Sequence, residues 1–303
     1  ERRDDFKSPV HVANRPGLKL SVANCASWSN NIGPWNTATN AMQRVTTSEI
    51  IVTGPTNYND SLPQPPTKLD FYRDIAVLAF PTPTNGSEKI DDIQAKDGDN
   101  GGFVLSSPAS TNAAPGSVIQ GGAMVDLTGR LQAGGRLNWD VPPGRWTILR
   151  IGYTPTGVDN HPAAWGGLGL ECDKMSKTAL DQHWNGFMQK VLNDIGPLAG
   201  KALDCSLIDS YEVGGQNWTK NFREDFEKRR GYDPLKFLPT FTGQVVDNPA
   251  VSERFLWDVR RTIVDLFAVN YYFHFAKRCR EHVLMNAVEP YTGTFASLQC
   301  GAN

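Results

Sequence analysis

The sequence predicts an α/β protein, an incomplete (β/α)8 TIM-type barrel that is interrupted by a β-sandwich-like insertion. Strand and helix patterns alternate over residues 157–303, which indicates parallel strands joined by right-handed crossovers. Residues 49–156 instead contain strand-like segments separated by Pro-, Gly- and Asn-rich turns. Acidic residues follow the strands and the sequence contains no glycine-rich dinucleotide motif, which favours a barrel over an open dinucleotide-binding sheet.

Residues 1–48 are predicted to form the start of the barrel. Within them, Leu18–Ala23 alternates apolar and polar side chains as a half-buried strand does. Residues 24–35 are polar and contain glycine, so the strand leads into a long loop.

The insertion at residues 49–156 is predicted from three strand-like segments, Ile50–Val52, Ile75–Phe80 and Trp146–Ile151. The segment Val141–Trp146 is typical of the turns that lead into strands of β-sandwich domains.

The barrel is predicted to continue over residues 157–303, where the spacing of apolar residues alternates between helical and strand-like. The predicted elements are, in order, a helix at 174–195 ended by Gly196-Pro197, a strand at 202–209, a charged helix at 219–230 closed by Gly231, a long helix with Asn248 as N-cap and Pro249 first that ends near His282, and a strand at 283–288.

Composition excludes several classes of protein. The 303 residues include 30 basic and 32 acidic side chains, for a formal charge of −2, and contain no long run of Lys or Arg. Apolar stretches stay shorter than the roughly 18 residues of a membrane-spanning helix. We therefore expect neither nucleic acid nor a membrane as a partner. The five cysteines lie far apart, and neither HExxH nor GxSxG occurs, which excludes CxxC-type zinc and redox sites, zinc proteases and α/β-hydrolases.

The stretch 209–219 directly follows a predicted buried strand and combines carboxylate, amide, hydroxyl and indole groups. Glycoside cleavage needs a proton donor beside aromatic and amide groups that hold a sugar. Glu212 fits the donor, with Asp209, Asn217 and Trp218 as candidate substrate contacts. A structural interpretation stays open, in which Glu212 caps the following helix or is only solvated.

A second carboxylate, Glu289, ends the next predicted strand and is followed by Tyr291. Two acids on one barrel rim are the minimum apparatus for glycosidic hydrolysis, and their separation decides between retention and inversion. Glu289 is therefore the candidate catalytic partner of Glu212, and Tyr291 a candidate substrate contact. Alternatively, Glu289 accepts backbone hydrogen bonds that fix its loop.

A third acidic group contains Glu171 and Asp173. Carboxylates gathered at a rim with asparagines suit calcium, which takes oxygen ligands, so Glu171 is a candidate metal ligand. Asp173 is the natural N-cap of the helix predicted at 174–195. Trp28 and Trp35 fall in a predicted rim loop, where indole faces can stack on sugar rings; packing in the core is the alternative for each.

Taken together, these stretches resemble the catalytic region of glycoside hydrolase family 106, the α-L-rhamnosidases. The resemblance runs in order through nearly the whole chain, over the segments 24–29, 33–35, 74–81, 149–157, 169–174, 209–219, 229–233, 252–258 and 289–293.

The resemblance implies an interrupted (β/α) barrel with a β insertion, acting as an inverting exo-glycosidase on terminal α-L-rhamnose, with a bound calcium ion and a secreted or periplasmic location. Its substrates would be rhamnose-containing oligo- or polysaccharides or glycosides. By motif, Glu212 would be the general acid. Glu289 would be the general base, unless the base lies beyond Asn303 and Glu289 holds substrate or metal.

Family members are longer than this chain, so we expect it to be a fragment that works with remaining segments of a longer polypeptide, or a truncated relative. The alternative function is a non-catalytic carbohydrate-binding or scaffold protein that kept the sugar-facing rim.

Overall fold

A computed structural model describes residues 3–25, 32–100, 112–159, 163, 166–290 and 297–301. The chain divides into two compact units. The parallel-sheet unit comprises Glu1–Met42, Thr156–Gln216 and Ile263–Asn303. The antiparallel-sheet unit comprises Gln43–Pro155 and Asn217–Thr262.

The strands of the described residues are β1 Leu20–Ala23, β2 Ile32–Gly33, β3 Gln43–Ser61, β4 Arg73–Pro81, β5 Val125–Asp126, β6 Arg136–Pro155, β7 Leu170–Glu171, β8 Leu203–Ile208 and β9 Met285–Val288. The helices are α1 Arg3–Asn14, α2 Ile93–Lys96, α3 Lys177–Gly186, α4 Met188–Ile195, α5 Phe222–Arg230, α6 Pro249–Leu266, a π-helical turn at Phe267–Tyr272, α7 Phe273–Glu281 and α8 Ser297–Gly301. Short 3₁₀ helices include Leu235–Thr242.

The core of the parallel-sheet unit is a three-stranded sheet in the order β1-β8-β9, with both pairs parallel. β8 is buried over most of its length because a parallel strand is covered on both faces. Trp184, Tyr271 and Phe275 belong to the cluster that covers it. The predicted α/β class is confirmed. A closed (β/α)8 barrel is not, because the parallel sheet among the described residues has three strands and stays open.

The predicted helix at 174–195 is two helices. Ser176 caps α3 by accepting a hydrogen bond from the Ala179 amide at 3.3 Å, and the helical path breaks at Phe187. Asp173 is therefore not the N-cap; its Oδ1 accepts from the Met175 amide at 2.9 Å, one turn before the helix. By contrast, the predicted cap of the long helix is confirmed, because Asn248 Oδ1 accepts from the Val251 amide at 3.0 Å.

The antiparallel-sheet unit is built on one four-stranded sheet in the order β3-β6-β4-β5. β3 and β6 pair from Gln43 opposite Pro155 to Ser61 opposite Arg136, so the β-rich segment begins before residue 49. The apolar face of this sheet packs into a core that includes Leu137 and Trp139. Its described strands form a single layer, and the second sheet of a sandwich is not seen among them. The predicted division also differs in that residues 217–262 belong to this unit rather than to the barrel segment.

No described helix is both long and apolar enough to cross a bilayer. All five cysteines lie in the described part of the chain, where they are buried and form no disulfide.

Candidate active site

The carboxyl ends of the three parallel strands meet at one edge of the sheet. Ala23 pairs with Leu207, and Ile208 pairs with Val288. The ladder then continues by one residue on each side, because the Asn24 amide donates to Leu207 O at 2.8 Å and the Glu289 amide donates to Ile208 O at 3.0 Å.

Asn24, Asp209 and Glu289 consequently leave neighbouring strands at the same edge, as candidate active-site residues do in parallel α/β folds. We call these three residues together with Glu212 the strand-end group. Asn24 is buried, Asp209 is half-buried, and Glu212 and Glu289 are exposed.

Ser210 connects the two carboxylates of the loop after β8. Its backbone amide donates to Asp209 Oδ1 at 2.8 Å, and its hydroxyl donates to Glu212 Oε1 at 2.9 Å. Ser210 itself is buried, with 2% of its surface exposed. A fixed serine therefore orients an exposed carboxylate, which is the arrangement expected of a general acid that reaches a bound substrate.

Tyr211 anchors the same loop to the protein core. It is fully buried, and its ring packs against Phe267 with centroids 5.8 Å apart. The Lys174 ammonium lies 5.2 Å from the Tyr211 ring centroid, within cation–π range. Burial raises the pKa of Tyr211 well above its ordinary value, so the phenol stays protonated and neutral. The buried ring therefore fixes the loop backbone next to the exposed Glu212.

Glu171 and Lys174 form an ion pair in which both side chains are fully buried. The ammonium also lies 3.6 Å from Met42 Sδ and faces the ring of Tyr271 at 5.7 Å. The cation that Glu171 faces is thus a protein side chain. Among the described residues no group of three or more His, Cys, Asp or Glu side chains could hold a metal ion. The structure thus gives Glu171 an ion-pairing role, and its role as a calcium ligand stays a prediction.

Gln216 ties the end of the loop after β8 to the turn that carries this ion pair. Its Nε2 donates to Asp173 Oδ1, and its Oε1 accepts from the Lys174 amide at 3.1 Å. Gln216 and Lys174 are almost completely buried. The position of the 209–216 loop is consequently set at Tyr211 and again at Gln216.

Trp35 is held beside the end of β1 by a buried histidine. Its Nε1 donates to His183 Nδ1 at 3.1 Å, and His183 Nε2 donates to the carbonyl oxygen of Asn24 at 2.9 Å. Burial lowers the pKa of His183 to about 4, so the ring is neutral at neutral pH. The Trp35 ring stacks on Phe187, and a Cβ on Gly186 would clash with the indole. Trp35 remains half-buried and keeps part of its surface available to a ligand.

His183 is a residue that the sequence argument missed. It occupies an apolar-face position of the predicted helix, so its spacing indicates core packing rather than a site. A polar residue on an otherwise apolar stripe was the one available signal, because a buried imidazole needs hydrogen-bond partners.

Asn217 and Trp218 lie in the antiparallel-sheet unit and are both buried. Asn217 Oδ1 accepts from the Val45 amide at 2.8 Å. The Trp218 ring packs against Phe222, with centroids 4.8 Å apart. The structure thus gives each a packing or hydrogen-bonding role, and their contact with substrate stays a prediction. Trp28 and Tyr291 lie outside the described residues.

Comparison with known proteins identifies the family and two relatives, whose described activities differ. The model of glycoside hydrolase family 106, described as alpha-L-rhamnosidase, matches residues 1–94 and 67–299. A protein of Formosa agariphila described as a "putative beta-glucuronidase" is 49% identical over 301 residues, which are 99% of this chain and 26% of that protein.

The solved structure of a rhamnosidase from Novosphingobium sp. PP1Y superposes with a TM-score of 0.87 at 22% identity, covering 98% of this chain and 42% of that one. At this identity the likeness concerns the fold alone. The chain spans about a quarter of the curated relative.

The family match covers nearly all of the sequence, including β1, β8, β9 and the whole strand-end group. The chain belongs to glycoside hydrolase family 106.

Proposed function

We propose that this chain carries the acid and base of a glycoside hydrolase that releases terminal α-L-rhamnose from glycans or glycosides with inversion. The observation that carries the proposal is the strand-end group, in which Glu212 and Glu289 follow neighbouring parallel strands. The family match supports glycoside hydrolysis as the reaction class.

Glu212 is proposed as the general acid, which protonates the leaving-group oxygen as the glycosidic bond breaks. Its exposure lets it reach that oxygen, and the Ser210 hydroxyl fixes the direction of its carboxyl group. Asp209, held by the Ser210 amide, is proposed to accept hydrogen bonds from sugar hydroxyls. Trp35 offers an indole surface next to the end of β1 on which a pyranose ring can stack.

Glu289 is proposed as the general base that activates water on the opposite face of the sugar. Inverting enzymes keep the two carboxyl groups roughly 6.5–9.5 Å apart to leave room for that water. Neighbouring strands run about 4.8 Å apart, and Glu212 lies three residues beyond the residue level with Glu289, which is compatible with such a gap.

The finer fold assignment is part of the same proposal. We place β1, β8 and β9 in an interrupted (β/α)8 barrel, supported by their parallel order and by the superposition on a larger rhamnosidase. The proposal includes a secreted or periplasmic location, which the resemblance to the family implies.

The test is release of the chromophore from an aryl α-L-rhamnoside by the 303-residue chain. An aryl β-D-glucuronide is assayed as a second substrate, because one relative is described as a glucuronidase. Glu212→Gln and Glu289→Gln are compared with the matched control Glu227→Gln, an exposed glutamate of α5. The proposal predicts rhamnoside cleavage that Glu289→Gln loses, that Glu212→Gln lowers only partly because an aryl leaving group departs without a proton, and that the control keeps. Cleavage of the glucuronide alone would overturn the rhamnose assignment.

The alternative of a non-catalytic carbohydrate-binding protein makes a different prediction. A folded chain would then bind rhamnose in a calorimetric titration without hydrolysing either glycoside.

A further inference from the structure

A second concave site lies within the antiparallel-sheet unit, bordered by α5, the 3₁₀ helix Leu235–Thr242 and α6. The cavity has a volume of about 860 Å³ and opens to solvent, which is large enough for one or two sugar rings. The lining side chains on which the argument depends are Arg229, Arg230, Lys236, Arg254, Trp257 and Asp258.

The charge of this cavity is strongly unbalanced. Four of these side chains are cationic and one is a carboxylate, in a chain whose total formal charge is −2. The single carboxylate, Asp258, already accepts a hydrogen bond from the Tyr232 hydroxyl at 3.0 Å and lies 3.5 Å from Arg254 Nε. Lys236 Nζ also lies 3.7 Å from Asp247 Oδ2, so a carboxylate outside the cavity offsets part of its charge. Among the side chains that line the cavity the cations still outnumber the carboxylate, which favours an anionic ligand.

At least one guanidinium is positioned with hydrogen-bonding capacity to spare. Arg229 is half-buried and lines the cavity. The Arg254 side chain is 72% exposed. A guanidinium offers several N–H donors in a planar fork, which matches the oxygens of a carboxylate or a sulfate ester.

An aromatic surface lies beside these cations. Trp257 is 47% exposed and is the one aromatic among the exposed large hydrophobic residues of the described chain. The Arg254 guanidinium lies 4.9 Å from its ring centroid. Beneath them, the rings of Phe237 and Phe255 are stacked with centroids 5.4 Å apart. An exposed indole next to a guanidinium presents one surface for the apolar face of a sugar ring and one donor group for its acidic substituent.

A purely structural explanation accounts for only part of this arrangement. Arg229 and Arg230 lie in the last turn of α5, where cations stabilise the helix dipole. Lys236 and Arg254 lie outside that turn, and neither helix stability nor core packing requires an exposed Trp257.

We propose that this cavity binds an anionic saccharide unit, one that carries a uronate carboxylate or a sulfate ester. The sugar ring stacks on Trp257, and the acidic group is held by Arg254 and Arg229. This binding site is separate from the strand-end group and would direct the chain to acidic glycans. Its test reads binding, so a failure here is distinguishable from a failure of the proposed hydrolysis.

The experiment is calorimetric titration of the 303-residue chain with three probes that share one sugar ring: methyl β-D-glucuronide, D-glucose 6-sulfate and neutral methyl β-D-glucoside. We expect at least one of the two anionic probes to bind. The neutral probe should bind at least about tenfold more weakly, and the affinity for the anionic probe should fall as the salt concentration is raised. The anionic probe that binds more tightly identifies the acidic group.

Three variants locate the site. Arg254→Gln and Arg229→Gln should each lower the anion affinity about tenfold, since a charged hydrogen bond contributes about 1.5 kcal/mol or more, and Trp257→Ala should lower it several-fold. Arg145→Gln removes the same charge from an exposed position of β6 in the same unit and should leave affinity unchanged. Circular dichroism confirms that each variant is folded. Equal binding of all three probes, no binding of either anion, or unchanged affinity in all three variants would overturn the proposal.

Discussion

Trp35 Nε1 lies 3.1 Å from His183 Nδ1, and this contact decides which nitrogen of the buried imidazole carries the proton. An indole nitrogen can only donate, so Nδ1 must accept and Nε2 carries the hydrogen that reaches the Asn24 carbonyl. The imidazole thereby connects a candidate sugar-stacking residue to the end of β1. A protonated ring would lose the bond from Trp35, so the arrangement requires a neutral histidine.

Replacing His183 by phenylalanine should destabilise the fold, because the indole nitrogen of Trp35 and the carbonyl oxygen of Asn24 then lose their partner. Each buried polar group left unsatisfied costs about 1–3 kcal/mol. We expect His183→Phe to lower the free energy of unfolding in urea by about 2–4 kcal/mol, and His11→Phe, at an exposed position, to change it by less than about 0.5 kcal/mol. Equal stability of the two variants would contradict the described network.

The same histidine predicts a pH dependence. Its folded pKa of about 4 lies below the ordinary value of 6.5, so the unfolded chain binds the proton more readily. The contribution of His183 to stability is therefore complete above about pH 6.5 and is lost as the pH falls towards 4, by up to about 3 kcal/mol. In urea titrations between pH 4 and 7, the stability difference between wild type and His183→Phe should shrink at low pH. A difference that stays constant would refute a neutral buried ring.

Asp97 should act in the opposite direction. Burial raises the pKa of its carboxyl from 3.8 to about 7, against the hydrogen bond from the Asp99 amide at 2.9 Å. The folded state then holds the proton that the unfolded state releases, so stability is lost as the pH rises from about 4 to about 7, by at most about 4 kcal/mol. The free energy of unfolding of Asp97→Asn, taken relative to that of the wild type, should therefore be higher at pH 8 than at pH 5. The exposed Asp60→Asn should show no such gain, and an identical response of the two variants would be evidence against the raised pKa.

The buried ion pair predicts a strongly non-additive double mutant. Lys174→Met should cost about 3–5 kcal/mol, because it leaves the Glu171 carboxylate buried without its cation. Glu171→Gln combined with Lys174→Met should recover most of that loss, as both charges are then gone. Lys201→Met, at an exposed lysine, serves as the control. A double mutant as unstable as Lys174→Met alone would mean that the pair is not the source of the cost.

Ser210 is expected to position Glu212 rather than to stabilise the fold. Ser210→Ala removes the hydroxyl that donates to Glu212 Oε1, and we expect kcat on a rhamnoside to fall about tenfold with little change in KM. Ser210→Thr keeps the hydroxyl and should restore most of the rate. Ser206→Ala, at a buried serine in β8, controls for general loosening. A parallel loss in both alanine variants would assign Ser210 a structural role only.

Local patterns were sufficient to predict the strands that carry the site. The predicted strand at 202–209 contains β8, and the predicted strand at 283–288 contains β9, because short and mostly apolar segments bounded by turns are typical of a buried parallel strand. The adjacency of Asp209 and Glu289 follows from parallel pairing and needed no further information.

The remaining features depend on contacts that are distant in sequence. The break at Phe187 reflects the packing of Trp35 against Gly186, and the burial of Trp218 reflects its contact with Phe222, neither of which is visible in helical spacing. The ion pair of Glu171 with Lys174, three residues on, is likewise not visible in the spacing of the sequence. The grouping of Asn217–Thr262 with the antiparallel sheet is likewise a tertiary result.

The most direct test of the central claim is the rate of Glu212→Gln on two α-L-rhamnosides, one with a nitrophenyl and one with a methyl leaving group. If Glu212 is the general acid, the variant should lose about 10²–10⁴-fold on the methyl glycoside, whose departing oxygen needs a proton, and markedly less on the nitrophenyl glycoside. An equal loss on both substrates, or full activity on the methyl glycoside in a folded variant, would contradict the account.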